Sequence, residues 1–488
     1  MDRVMVEKSI AGIGLAVLFA CLYGCGQVGK EVTGYITTSD RVFDLREDTL
    51  SFTDADVSGS VMTICPDTTV RYQTMDGFGA AITGATCFNL SLMPEKVRRQ
   101  FLDETFSPHK YGFSYVRVPI GCSDFSLSDY TCCDTMGIDN FALTSEETKY
   151  IIPILKEIRA INPGLKIIAS PWTCPKWMKV KDLKSKEPYD SWTGGHLNPY
   201  YYKDYAMYFV KWIDAFEKEG VGIDAITIQN EPLNRGNSAS LFMGWDEQRD
   251  FVKKALGPAM REYFPSVKIY AFDHNYNYDN MPDQQKYPLK IYSDAEAKAF
   301  LSGAAYHNYG GNRNELLDIH RQAPDMELIF TETSIGVWNQ GDNLTLALNR
   351  DMEEIGLGTV NNWCKAVIVW NLVLDSDRGP HSGAGACTTC YGAVDVDNET
   401  YSRITRNSHY YVIAHLASVV KPGAVRIGAK GNMVKGVAYS VFENTDGTYA
   451  LVMSNGNERG QMVQVKDGNH CFLVEIPGNA VASYTWKK

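Results

Sequence analysis

Between residues 77 and 372 the chain alternates short apolar runs with longer stretches of helical periodicity. Eight runs are apolar on both faces, as buried parallel strands are. They are Phe78–Thr83, Tyr115–Gly121, Lys166–Trp172, Ala225–Pro232, Lys268–His274, Ala304–Tyr309, Glu327–Glu332 and Lys365–Leu372. Helical stretches lie between them, at 94–106, 146–160, 198–218, 246–263, 294–301, 313–322 and 344–356. This alternation predicts a (β/α)8 TIM barrel over residues 76–417, with a last helix near 402–417.

A doubly wound open sheet is the alternative architecture for this pattern. Such sheets usually carry a Gly-rich phosphate loop, and Gly77-Phe78-Gly79 lacks the third glycine in place. The barrel is therefore the favoured fold.

Strand patterns flank the predicted barrel on both sides. Residues 31–75 alternate apolar and polar positions, as in Val61-Met62-Thr63-Ile64. Residues 418–488 return to the same alternation, in Met433–Phe442, Thr448–Ser454, Met462–Val465, Cys471–Glu475 and Ser483–Trp486. We therefore expect an accessory β-sandwich to which both ends of the chain contribute.

The first 24 residues are predicted to be a lipoprotein signal peptide. An apolar run, Ile10–Tyr23, follows Arg3 and Lys8 and is too short to span a bilayer. It ends in Leu22-Tyr23-Gly24-Cys25, which resembles a bacterial lipobox with Cys25 as the lipidated residue. Cys21 is a second candidate, and a plain secretory signal is the alternative. The sequence thus predicts an exported protein that is lipid-anchored at the bacterial cell envelope.

Charge and composition narrow the function classes. With 44% hydrophobic and 22% charged residues the chain is ordinary globular protein. A formal net charge of −11 repels phosphate backbones, so nucleic acid is not an expected partner. The lone Cys387-Thr388-Thr389-Cys390 motif lacks a second ligand pair for zinc, which leaves a local disulfide or free loop thiols.

Two of the predicted strands end in glutamates. The fourth ends in Gln229-Asn230-Glu231-Pro232 and the seventh in Phe330-Thr331-Glu332-Thr333. The carboxyl ends of barrel strands form one face, so these carboxylates would meet across the barrel opening. Glycoside hydrolysis needs such a pair: one acid protonates the leaving oxygen, and one carboxylate attacks the anomeric carbon or activates water. A surface position or a helix N-terminal charge is the alternative interpretation for each glutamate alone.

The sequence around these glutamates resembles glycoside hydrolase family 30, which includes lysosomal glucosylceramidase. Besides Gln229–Pro232, Phe330–Glu332 and Val369–Asn371, the similar segments are Asp76-Gly77-Phe78-Gly79-Ala80-Ala81, Tyr115-Val116-Arg117-Val118-Pro119, Ser123-Asp124-Phe125-Ser126 and Ala169–Lys179. They occur in the family's order, from about residue 60 to the C-terminus. The resemblance implies a retaining enzyme that works by double displacement, with carboxyl groups roughly 5–5.5 Å apart and no metal or organic cofactor.

The resemblance also implies a role for each matching residue. Glu231 would be the acid/base, with a raised pKa, and Glu332 the nucleophile, kept ionised by Arg117. Asn230 would bind the sugar 2-hydroxyl. The remaining sugar-binding candidates at the −1 position are Asp124, Trp172, His307, Tyr309 and Trp370.

The substrate is expected to be set by the loops. The stretches 190–197, 234–238 and 273–278 are polar and aromatic, and together with the Cys387–Cys390 loop they are similar to bacterial endo-β-1,6-glucanases of the family. Trp192 and Tyr276–Tyr278 are the candidates for binding the +1 sugar. A glucosylceramidase or β-glucosidase is the first alternative. A glycan-binding surface lipoprotein without catalysis is the second.

Overall fold

The computed structural model describes residues 31–54, 61–236, 239–276, 281–383 and 385–488. The predicted signal peptide, with Cys21 and Cys25, lies outside these ranges, as does Tyr278. Within them, no helix combines the length and the apolar character that crossing a membrane requires.

Eight parallel strands form the predicted barrel. They are Gly77–Ala80, Tyr115–Ile120, Lys166–Pro171, Ala225–Thr227, Lys268–Asn275, Gly303–His307, Glu327–Glu332 and Cys364–Val369. From the second strand to the eighth, each strand is hydrogen-bonded to its sequence neighbour, and the eighth pairs with the first. A single bridge between Ala81 and Arg117 joins the first strand to the second. The barrel prediction is therefore confirmed, and the carboxyl ends of all eight strands face one opening.

Twelve α-helices occur in the described residues. They are Gly84–Leu92, Glu95–Phe106, Ile152–Ile161, Tyr202–Lys218, Trp245–Phe251, Gly257–Tyr263, Tyr287–Tyr292, Ala295–Lys298, Asn314–Gln322, Leu344–Asp351, Leu357–Asn361 and Ser408–Val419. Three π-helical turns, at Glu147–Ile151, Val252–Leu256 and Met352–Gly356, extend or join some of them. The helix expected near 402–417 begins only at Ser408, because the short strand Ile404–Arg406 precedes it. Three helices, Gly84–Leu92, Tyr287–Tyr292 and Leu357–Asn361, were not predicted.

A nine-stranded sheet combines strands from both sides of the barrel. Its strands are Glu31–Thr38, Arg46–Ser51, Met62–Thr74, Val425–Gly431, Val437–Glu443, Thr448–Asn455, Gln461–Asp467, His470–Ile476 and Ala480–Lys487. Glu31–Thr38 pairs with Ala480–Lys487, so the two ends of the described chain lie side by side. This confirms the β-domain expected from both ends. The strand expected at Met433–Phe442 is displaced to Val437–Glu443, and Val425–Gly431 was missed because its glycines and charges hide the alternation.

One helix connects the sandwich to the barrel. All twelve residues of Ser408–Val419 are buried, which explains its lack of a polar face. On this helix His415 lies within hydrogen-bond distance of the hydroxyls of Ser483 (3.0 Å) and Thr37 (2.8 Å). A single imidazole thereby contacts the first and last strands of the sandwich.

Candidate active site

Glu231 lies at the carboxyl end of the fourth barrel strand in a strained backbone conformation. Its φ of 42° is in the left-handed region, and its N–H donates to the carbonyl of Asp273 at 2.9 Å. The preceding N–H, that of Asn230, donates to the carbonyl of Pro171 at 2.8 Å. Neighbouring strand ends therefore fix this turn, and such strain is typical of functional positions.

Arg117 lies beneath the opening and contacts three of the strand ends. Its guanidinium is fully buried and donates to Glu332, to Asp273 (2.8 Å) and to the side-chain oxygen of Asn230 (2.7 Å). Burial favours the neutral form of Arg117, but Asp273 and Glu332 outweigh it and raise its pKa. Arg117 therefore provides a fixed positive charge beside Glu332.

His307 lies between two carboxylates. Its Nε2 is 3.0 Å from Asp273 and its Nδ1 is 3.1 Å from Oε1 of Glu231. Asp273 also accepts hydrogen bonds from Arg117, Thr227 and Thr331. Burial opposes ionisation of Asp273, but the charges of Arg117 and His307 hold its pKa well below the usual range. Asp273 is therefore an anion, and Nε2 of His307 must carry the proton between them.

The proton distribution differs from the sequence-based expectation. Burial alone would raise the pKa of Glu231, but the hydrogen bond with His307 and the charges of His274 and His307 lower it to about 2. Burial also disfavours the charged form of His307, yet Glu332 and Asp273 raise its pKa to about 9. The expected raised pKa of Glu231 is thus wrong for this structure, because sequence motifs do not show that an imidazole shares its proton.

Glu332 differs from Glu231 in its hydrogen-bond partners. Burial raises the pKa of Glu332, and repulsion from Glu231 adds to the rise, although His307 and Arg117 act in the opposite direction. The expectation that Arg117 keeps the pKa of Glu332 low is therefore wrong for this structure, because the carboxylate is buried. Both of its oxygens accept hydrogen bonds, one from Arg117 and one from the Tyr309 hydroxyl at 3.0 Å. Nδ1 of His307 faces Oε1 of Glu231, and the Asn234 carboxamide donates to Oε2 of Glu231 at 2.7 Å. Glu231 is therefore the carboxylate that can exchange a proton with an imidazole, whereas Arg117 and Tyr309 hold Glu332 in position.

The two carboxylates are close together. Oε1 of Glu231 and Oε1 of Glu332 lie 3.1 and 3.9 Å from the same nitrogen, Nδ1 of His307. Both carboxylates therefore lie within reach of one imidazole, which is compatible with the short separation of roughly 5–5.5 Å in retaining glycosidases.

Two indoles pack beside the carboxylates. Trp172 and Trp370 stack with centroids 5.1 Å apart, and Arg117 lies over both rings. Asp124 is also buried here, and burial together with repulsion from Glu332 and Glu231 raises its pKa well above the usual value. A neutral Asp124 can donate as well as accept a hydrogen bond, which suits a sugar hydroxyl.

These groups surround one cavity at the barrel opening, the active-site cavity, with a volume of about 250 Å³. Its lining residues are Asp124, Glu231, Asn234, Asn275, Tyr309, Glu332, Trp338, Trp370, Cys387 and Cys390. The sequence-predicted residues Arg117, Trp172, Asn230 and His307 do not line it but lie beneath and support those that do. Cys387 and Cys390 form a disulfide, one of the two states left open by the sequence.

Several site residues were missed or misplaced by sequence reasoning. Asp273 was placed in a substrate-binding loop, yet it is fully buried under His307. Tyr276, expected to bind the +1 sugar, is only 1% exposed and stacks on Tyr306, so it cannot contact substrate. Trp192 does not border the active-site cavity. Trp338, close after the seventh strand, does border it and was not predicted.

One set of side chains has metal-ligating chemistry. Glu231, His274 and His307 bring ligand atoms within 4.8 Å of one another. Glu231 and His307 are already hydrogen-bonded to each other, and that contact can move a proton between them. Such a proton transfer requires no ion at this set.

A parallel barrel with one glutamate after its fourth strand and one at the end of its seventh, the second bound to a buried arginine, is the arrangement of a glycoside hydrolase. Comparison with known proteins specifies the class further. Residues 75–420 match the glycosyl hydrolase family 30 TIM-barrel domain, and residues 423–484 match the glycosyl hydrolase family 30 beta sandwich domain. The chain belongs to glycoside hydrolase family 30.

Individual relatives agree with this assignment. The solved structure of the endo-β1,6-glucanase BT3312 is 62% identical, with a TM-score of 0.91, and the match covers 94% of this chain and 99% of that chain. Endo-1,6-beta-D-glucanase BGN16.3 of Trichoderma harzianum is 31% identical over 86% of this chain and 85% of its own length. Lysosomal acid glucosylceramidase of Mus musculus is 26% identical over 88% and 84%.

Proposed function

We propose that this protein is an endo-β-1,6-glucanase that hydrolyses its substrate with retention of configuration. The observation that carries the proposal is the 62% identity to a β-1,6-glucanase over nearly the whole chain, combined with the paired carboxylates Glu231 and Glu332 around His307. A fungal endo-1,6-glucanase among the relatives supports the same linkage.

In the first step Glu332 attacks the anomeric carbon of the −1 glucose. Glu231 donates a proton to the departing 6-oxygen, and His307 supplies that proton through its Nδ1 contact. Arg117 and the Tyr309 hydroxyl stabilise the carboxylate of Glu332 until it attacks. The product of this step is a glucosyl ester of Glu332.

In the second step the Glu231 carboxylate removes a proton from water and passes it back to His307, while the water oxygen attacks the anomeric carbon and releases the carboxylate of Glu332. Two inversions at the same carbon give net retention. Asn230, positioned by Arg117 beneath the cavity floor, is the group that would bind a 2-hydroxyl reaching down to it, a contact that strengthens as charge develops on the ring. Asp124 and Trp370 hold the other side of the −1 sugar.

The runner-up function is a glucosylceramidase or β-glucosidase, which the mouse relative suggests. The lining of the active-site cavity disfavours it, because the carboxamides of Asn234 and Asn275 stand where a ceramide chain would need apolar neighbours. A binder without catalysis is disfavoured because both glutamates are in reacting positions.

A product profile tests the proposal. The enzyme should release gentio-oligosaccharides from β-1,6-glucan and leave β-1,4- and β-1,3-glucan intact. Cleavage of glucosylceramide without action on β-1,6-glucan would favour the runner-up. Binding of glucan without any product would favour the non-catalytic alternative.

We also propose that the protein is exported and lipid-anchored at the cell envelope. The support is the apolar run Ile10–Tyr23 followed by Cys25. Cys25→Ala should move the protein from the membrane to the soluble fraction of the native cell without changing its catalysis. A wild-type protein that is already soluble, with a free N-terminus beyond residue 25, would exclude the anchor.

A further inference from the structure

Trp338 is an exposed indole at the edge of the active-site cavity. Its exposed fraction is 53%, and it follows the strand that carries Glu332. Because this exposed aromatic side chain borders a polar cavity, it is positioned to contact a ligand that enters the cavity.

The loop around Trp338 holds the indole in one orientation. A Cβ at Gly336 would lie 1.9 Å from Cζ3 of the Trp338 ring, so the ring packs directly on the glycine backbone. The strand Ile335–Gly336 pairs with Cys390–Tyr391, next to the Cys387–Cys390 disulfide. An aromatic face that is already fixed binds a sugar with little loss of conformational entropy.

The position of Trp338 in the barrel decides which part of a glucan chain it meets. Glu231 must reach the leaving oxygen, and it follows the fourth strand. The loop of Trp338 follows the seventh strand and is paired with the segment that follows the eighth strand. In an eight-stranded barrel, the eighth strand lies opposite the fourth. The departing sugar therefore leaves on the Glu231 side, whereas Trp338 borders the side of the retained sugars.

We propose that Trp338 is the stacking platform for the glucosyl unit at the −2 position. This inference rests on the proposed β-1,6-glucanase function, because that linkage joins the −2 unit to C6 of the −1 glucose. The extra rotatable bond lets the −2 ring leave the −1 pocket and rise to the rim where the indole lies. A bound −2 unit is what allows cleavage inside a chain.

Two aryl substrates isolate the −2 contact. An aryl β-glucoside fills only the −1 position, whereas an aryl β-gentiobioside fills −2 and −1 with the same leaving group. Trp338→Ala should lower kcat/KM for the gentiobioside about tenfold more than for the glucoside. Trp338→Phe should restore part of the difference. Gly336→Ala, which keeps the indole but displaces it, should resemble Trp338→Ala.

Tyr200→Ala provides the matched control, because Tyr200 is 82% exposed and is not among the residues that line the active-site cavity. It should leave the ratio between the two aryl substrates unchanged. An equal effect of Trp338→Ala on both aryl substrates would overturn the proposal. A loss confined to substrates with a glucosyl leaving group would also overturn it, since Trp338 would then contact the +1 sugar.

The activity of the wild-type enzyme distinguishes a failure of this inference from a failure of the proposed function. Suppose that the wild-type enzyme degrades β-1,6-glucan and that Trp338→Ala and Gly336→Ala keep the wild-type ratio of kcat/KM between the gentiobioside and the glucoside. In that case only the −2 assignment fails. If wild type hydrolyses the aryl glucoside but not β-1,6-glucan, the proposed function fails first.

Discussion

Nδ1 of His307 lies 3.1 Å from Oε1 of Glu231, and the opposite nitrogen of the same ring lies 3.0 Å from Asp273. Because Asp273 is held as an anion by Arg117, Nε2 of His307 always carries a hydrogen. The mobile proton of the site is therefore the one between Nδ1 and Glu231. An acid/base glutamate with a low pKa can still protonate a leaving group here, because its proton is stored on the neighbouring ring.

The pH dependence of catalysis should report this shared proton. In wild type the pair keeps its proton until the pH approaches the His307 pKa of about 9, so kcat/KM should fall only above that region. His307→Gln cannot store the proton, and the descending limb should move to lower pH. A glucosyl fluoride, which needs no protonation, should show no such shift, and an unchanged limb on glucan would contradict the stored-proton mechanism.

The two glutamates should respond differently to substitution. Glu332→Gln should remove nearly all turnover on every substrate, because no nucleophile remains. Glu231→Ala should lose about 10²–10⁴-fold on glucan but far less on an activated aryl glucoside. Added azide should rescue Glu231→Ala and give the β-glycosyl azide, identified by NMR. Rescue of Glu332→Ala to the β-product would reverse the assigned roles.

Burial of His415 should make the free energy of unfolding decrease at acidic pH. Burial lowers its pKa to about 3, whereas an unfolded histidine titrates near 6.5. The unfolded chain thus takes up a proton first as the pH falls, so stability present above pH 6.5 is lost progressively toward pH 3. His415→Gln can keep the contacts with Thr37 and Ser483 but cannot titrate. Between pH 7 and pH 4 the urea midpoint should therefore fall less for this variant than for wild type. An equal fall in both proteins would contradict the assignment.

Lys179 should be important for stability despite its charge. It is 1% exposed, and its ammonium group donates at 2.8–3.1 Å to the carbonyl oxygens of Ser191, Trp192, Gly194 and Ser240. Lys179→Met removes all four contacts from these backbone carbonyls and should cost about 3 kcal/mol in the free energy of unfolding, measured by urea denaturation. Lys181→Met, two residues away and exposed, is the control and should leave the midpoint nearly unchanged.

Deleting residues 425–488 should produce insoluble protein. The deletion removes the partners of Glu31–Thr38 and Met62–Thr74 and exposes their apolar faces. Solubility and aryl-glucosidase assays of the truncated chain test this. A soluble, active truncation would show that the barrel does not need the sandwich.

The sequence predicts the barrel well because its strands are apolar on both faces and each glutamate stands at a strand end. It does not predict Asp273 or Tyr276, because the chain takes left-handed φ values at Phe272 (70°) and Asp273 (69°) and the register shifts there. That irregularity turns the Asp273 carboxylate inward. Tyr276 is buried because Tyr306 and Phe330 form a pocket for it, which no local pattern reveals.

The pairing of Glu31–Thr38 with Ala480–Lys487 also has a consequence for biogenesis. Because the chain is synthesised from its N-terminus, Glu31–Thr38 is made early, whereas its partner Ala480–Lys487 is among the last segments to be made. The sandwich can be completed only after the barrel and the C-terminal strands have been synthesised. Completion of the sandwich therefore acts as a check on chain integrity: an incomplete polypeptide retains an open β-edge and is exposed to aggregation and proteolysis.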